Sequence, residues 1–227
     1  MSAKTHHNMP NYTQGEERFN MISHIVGGGL GVVALLVCVI IAAYNQNIWG
    51  IISGLVYGFS AILLFTMSSI YHGLNFGLPK RVFRILDHCT ISVLIAGTYT
   101  PILLTSFREV YPVYAWAIFA AVWGLALISM VLNAVNLRRF QIFSLVSYLV
   151  MGWMAMLRID QLIEVLGQTF FMLILAGGIM YVVGMLFYVV GKRKKYMHSV
   201  FHVFVIVGFV LHSIAIAMYA MPHVYVY

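Results

Sequence analysis

Charge is what this sequence lacks. Only 8% of its 227 residues are Asp, Glu, Lys or Arg, against about 25% in soluble domains, and so few cannot cover a water-facing surface. Hydrophobic residues make up 62% and the mean hydropathy is +0.93. That balance excludes a soluble enzyme, and it makes the net charge of +7 a topological signal rather than a nucleic-acid surface. Cysteine is scarce too. Cys38 and Cys89 lie in apolar runs and supply neither a disulfide framework nor a thiolate metal set. No lysine falls inside an apolar run, which excludes a retinal Schiff base, since that needs an amine on a bundle helix. A cleavable signal peptide is not expected, because residues 1–20 are polar and the first apolar run is long enough to span.

What is there is a series of seven apolar stretches, at about residues 21–43, 49–71, 87–106, 112–132, 140–157, 168–190 and 198–221. A membrane-crossing helix needs roughly 20 such residues. The expected fold is therefore all-α, an integral membrane bundle of seven transmembrane helices, with residues 1–20 as a loosely ordered cytoplasmic tail and 222–227 as an external tail. Basic residues stay on the cytoplasmic side. Eleven of the 13 Lys and Arg (Lys4, Arg18, Lys80, Arg81, Arg84, Arg138, Arg139, Lys192, Arg193, Lys194 and Lys195) fall on the N-terminal tail or the even-numbered loops, leaving only Arg108 and Arg158 on the odd ones. The N-terminus is thus expected inside and the C-terminus outside. That is the reverse of a G-protein-coupled receptor, so no G-protein coupling is expected.

An ionisable side chain within a span costs about 2.5–3.5 kcal/mol at mid-membrane, which makes each one a functional candidate. His198 and His202 stand four apart, on one helical face, where two imidazoles can meet one ion. In the expected topology His72, Asp87, His88 and the set Glu17, Asn20, Ser23 and His24 reach the same depth, on the cytoplasmic side. Three imidazoles with an open fourth position are the arrangement of catalytic zinc. His72, His198 and His202 are accordingly the expected ligands and zinc the expected ion, although nickel, cobalt or iron accept the same set. Asp87 is expected to orient a water on the metal or act as general base, or else to be the N-cap of the third span. Ser68, one turn before His72, is a hydrogen-bond donor to that water or to a developing oxyanion, or a small residue easing helix contact. Glu17, Asn20, Ser23 and His24 read as an interhelical polar cluster, with His24 not a ligand. His88 competes for a ligand place. His212 lies ~15 Å deeper at 1.5 Å per residue, and like Gly97-Thr98-Tyr99-Thr100-Pro101 reads as packing and polar contact. His6, His7 and His223 have no evident role.

Taken together, Glu17-x-x-Asn20-x-x-Ser23-His24, Ser68-Ser69-Ile70-Tyr71-His72, Leu86-Asp87-His88, Gly97 to Pro101 and His198-Ser199-Val200-Phe201-His202 resemble the hemolysin III family, the bacterial branch of the progestin and adipoQ receptors. The resemblance covers about residues 16–220. It implies seven helices with the N-terminus inside, zinc on His72, His198 and His202 near the cytoplasmic face, and Asp87 and Ser68 beside it. The family is also similar to alkaline ceramidases, proposed metal-dependent hydrolases of lipid amides. Three functions follow as expectations: a zinc-dependent hydrolase of a lipid amide or ester entering from the inner leaflet, a zinc-stabilised sensor of membrane state without turnover, and a cytolytic pore as the family label implies. Membrane lipids are the expected partners and nucleic acid is not. The expected location is the bacterial inner membrane.

Overall fold

The computed structural model describes residues 10–191 and 193–222. His6, His7, His223, Lys4 and Lys192 lie outside them. Every regular element among the described residues is helical. Helix α1 (Gln14–Tyr44) starts at a capping box, in which the Thr13 hydroxyl accepts from the Glu16 backbone N–H and the Glu16 carboxylate accepts from the Thr13 N–H at 2.8 Å. Residues 14–20, expected as tail, are therefore helical and packed. Helix α2 (Ile48–Gly73) is capped by Asn47, whose Oδ1 accepts from Gly50 N at 2.8 Å. Helix α3 (Leu78–Val110) begins with Pro79 in its first turn, nine residues earlier than the expected span at 87. Beyond Pro101, which cannot donate the next helical hydrogen bond, it widens into a π-helical turn at Ile102–Phe107.

The expected fourth and fifth spans lie in one element, α4 (Pro112–Trp153), with an extended residue inside it at Asn136 (φ −160, ψ 89). Across that point Ser144 Oγ donates to Asn133 Oδ1 at 2.6 Å, and Asn133 Nδ2 to Tyr148 Oη at 3.3 Å. Residues 11 and 15 apart on an unbroken helix would stand ~16 and ~22 Å from each other. The chain therefore doubles back at Asn136, whose Oδ1 accepts from Arg139 N at 3.0 Å and so caps the returning arm. Removing that cap, Asn136→Ala, is expected to lower stability by about 1 kcal/mol, read from denaturation in detergent.

Helices α5 (Ile159–Leu166), α6 (Gln168–Val190) and α7 (Met197–Ala220) complete the chain. By length and composition six helices among the described residues can cross a membrane, α4 and α5 falling together in the stretch Pro112–Leu166. Large apolar side chains such as Ile22, Ile25, Val33 and Ile40 on α1 are exposed, as fits a lipid-facing wall. Inside, α1 and α2 approach through small residues. A Cβ added at Gly58 would lie 2.3 Å from Leu35 Cβ and 2.7 Å from its Cα, atoms that cannot swing aside. Gly58→Ala is thus expected to cost about 1–3 kcal/mol of stability by overpacking, in the same denaturation assay. Cys38 and Cys89 are buried free thiols, as expected.

Candidate metal centre

Three histidines meet where α2 ends and α7 begins. His72 lies in the last turn of α2, and His198 and His202 lie one turn apart at the start of α7. All three are buried, and each offers a ligand atom within 4.8 Å of the others. The turn into α7 is made by Tyr196, in the left-handed region (φ 62), whose N–H donates to Glu16 Oε1 at 2.6 Å and ties α7 to the first turn of α1. Gly191 lets the turn close, since a Cβ there would lie 2.8 Å from His198 N.

Neighbours place the protons of His72 and His202. His72 Nδ1 is 2.6 Å from Glu17 Oε2, a carboxylate that only accepts, so Nδ1 carries the hydrogen and Nε2 keeps its lone pair. That Nε2 is buried without a hydrogen-bond partner. Ser23 Oγ already donates to Asn20 O at 3.0 Å and presents a lone pair to His202 Nδ1 at 3.5 Å, which again leaves Nε2 as the bare nitrogen. His202 Nε2 and His198 Nε2 face each other at 3.2 Å. With the His198 proton on Nε2 this pair is a hydrogen bond; with it on Nδ1, which is buried without a partner, both nitrogens offer lone pairs to a cation. An orphaned Nε2 on His72 and an opposed pair on α7 fit one metal ion held by three imidazoles. Zinc suits such a donor set, and so do other first-row ions.

Glu17 does more than orient His72. Its other oxygen is 2.9 Å from Lys80 Nζ, and Lys80, only 2% exposed, also donates to Leu74 O at 2.8 Å. The expected polar cluster on α1 is thus divided in its contacts. Glu17 and Ser23 hydrogen-bond the histidines, while His24 stacks on His202 at a centroid distance of 3.7 Å with neither nitrogen hydrogen-bonded, and the Asn20 side chain is buried without a hydrogen bond. Asp87 is not a cap, because α3 starts nine residues before it with Gly77 as N-cap; it lines the same cavity as Ser68, His198 and His202 instead. His88 is engaged elsewhere, Nδ1 at 2.8 Å from Arg84 O and Nε2 at 3.3 Å from Tyr188 Oη, and stands outside the histidine cluster. The residues 97–101 contribute Tyr99, whose hydroxyl bridges Gly152 O and Ala155 N.

Sequence reasoning missed Glu16, Lys80 and Tyr12. Tyr12 stacks on His198 at 4.7 Å and 17°, and desolvation there pushes its phenol pKa up. It lines a cavity of about 670 Å³ together with Ser68, Asp87, His198, His202 and, ten residues farther along α7, His212. That volume falls within the range of small-molecule sites, ≈ 300–1,000 Å³.

The haemolysin-III related family profile matches residues 12–213. The chain is 35% identical to hemolysin-3 of Bacillus cereus over 207 residues, 91% of this chain and 93% of that protein. To the hemolysin-3 homolog of Bacillus subtilis (strain 168) it is 36% identical over 197 residues, 87% of this chain and 91% of the relative. To the human monocyte to macrophage differentiation factor the identity is 24% over 185 residues, 77% of this chain and 73% of the relative. No solved structure matches.

Proposed function

We propose that this chain, which belongs to the haemolysin III family and is an integral multi-pass membrane protein, uses its histidine centre to hold zinc and hydrolyse an amide or ester bond of a membrane lipid. The observation that carries the reading is the bare Nε2 of His72, its proton placed by Glu17, clustered with His198 and His202, which line a cavity of about 670 Å³. When bound, zinc would polarise a carbonyl and lower the pKa of a water to about 7. Asp87 is then the group that accepts a proton from the attacking water and returns it to the leaving amine or alkoxide. Ser68, which lines the same cavity, is the hydroxyl that orients the Asp87 carboxylate, and Tyr12 stacks over His198 and covers it.

The hairpin at Asn136 supports counting α4 as two passes and hence seven in all. With the basic residues, that count favours a cytoplasmic N-terminus, an external C-terminus and a centre opening on the inner leaflet, in the cytoplasmic membrane of a bacterium such as those of the Bacillus relatives. A zinc-stabilised sensor without turnover is the second reading, favoured by the way the centre joins the end of α2 to the start of α7.

Protein reconstituted in vesicles with N-acyl and O-acyl lipids should release fatty acid, and lose this with His202→Ala. Asp87→Asn should lower the rate about 10²–10⁴-fold with zinc still bound. Absence of turnover across both lipid classes in zinc-loaded protein would leave the sensor reading. Leakage of dye-filled vesicles without lipid cleavage would point to the pore that the relatives' names imply.

A further inference from the structure

The cavity holds a second polar group that the proposed reaction does not use. His212 lies ten residues beyond His202 on α7, ~15 Å along the helix and so about the hydrocarbon depth of one leaflet. It is 9% exposed and lines the same cavity as the histidine centre. Gly177 on α6 makes room for the ring, since a Cβ there would lie 2.3 Å from His212 Cδ2. Through that gap Nε2 reaches Ile174 O at 3.0 Å. A carbonyl oxygen accepts, so Nε2 carries the proton, and in the neutral ring Nδ1 is left as an acceptor. Nδ1 is buried and has no hydrogen-bond partner. Evolving such a site for a plain alkyl chain leaves the acceptor unmet, while Leu or Phe would fill the space without that defect.

We propose that His212 Nδ1 is a specificity-determining acceptor for a hydroxyl on the ligand's chain, so that the lipid taken by this cavity is a hydroxylated acyl amphiphile with its O–H about one leaflet's depth from the metal centre. This rests on the lipid reading of the cavity given above. An ester, ketone or carboxylate oxygen at that depth would set acceptor against acceptor and be disfavoured. A hydroxyl beside the head group would lie far from His212 and gain nothing from it.

The test uses the full chain in lipid nanodiscs with a fluorescent fatty acid as probe. Its displacement is measured for octadecanoic acid and for isomers carrying one hydroxyl beside the carboxyl, in the distal half of the chain, or at the methyl end. In the wild type the distal-half isomer should bind about tenfold more tightly than the plain acid. His212→Leu should erase that preference while the plain acid binds as before. Equal displacement by all the acids, a preference for the hydroxyl beside the carboxyl, or a preference that survives His212→Leu overturns the proposal and leaves the lipid reading standing. If no acid displaces the probe, the lipid reading fails and the proposal fails with it. Should His212→Leu not fold, the positional preference of the wild type decides alone.

Discussion

Stripping the metal from the purified protein is expected to lower its melting temperature by roughly 10 °C, since an ion held at a thousandfold excess over Kd contributes about 4 kcal/mol and a chain of this size loses about 2–4 °C per kcal/mol. The physical cause is the geometry of the donor set. The His72 Nε2 is buried without a partner and His202 Nε2 lies 3.2 Å from His198 Nε2, so removing the cation leaves a desolvated lone pair on His72 unmet and returns the α7 pair to a hydrogen bond at most. His202→Ala removes one member of the opposed pair and a metal ligand together. Its melting temperature should sit near that of the stripped wild type and should not respond to chelator. Thermal denaturation followed by tryptophan fluorescence, with and without chelator, checks both statements. An equal chelator shift in wild type and variant would mean that the ion acts elsewhere.

Glu17→Ala is the second large effect, because one carboxylate serves two partners. It holds the His72 Nδ1 proton at 2.6 Å and neutralises Lys80, which is 2% exposed, at 2.9 Å. Losing the acceptor frees the His72 ring to turn, which should weaken metal binding about 10–100-fold. Losing the charge strands a buried ammonium, which should cost about 3–5 kcal/mol of stability. The two consequences can be separated. Adding Lys80→Met to Glu17→Ala removes the stranded charge and should restore most of the stability while metal affinity stays low. Zinc titration with a competing chelator and denaturation of the same samples read the two quantities independently. If the double variant recovers both, Glu17 acts through Lys80 and not on His72.

The parts of this protein that were legible in advance are those written in local spacing or in gross polarity. Apolar run length marked the helices, and the four-residue step from His198 to His202 together with the depth of His72 picked out the cluster that the structure assembles. Two helices start ahead of their apolar runs for a shared reason: a polar first turn carries no hydropathy signal. Thr13-x-x-Glu16 is a capping-box pattern and Pro79 a first-turn residue, either of which marks a start. Lys80 counts only as a basic loop residue in the sequence, because its buried partner Glu17 lies far from it along the chain, on α1. Glu16 was missed because its partner, Tyr196 N, lies 180 residues away. At Asn136 a single extended residue that caps the returning arm is all that turns the chain, a role its residue type does not announce.

The claim on which the rest depends is that His72, His198 and His202 hold one metal ion, and elemental analysis of the purified protein beside His72→Ala tests it most directly. The account predicts about one equivalent of zinc per wild-type chain and a value near zero for the variant, since two imidazoles do not complete the three-ligand set. Equal metal content in the two proteins, or a wild type that takes up no metal when zinc is supplied, would contradict it.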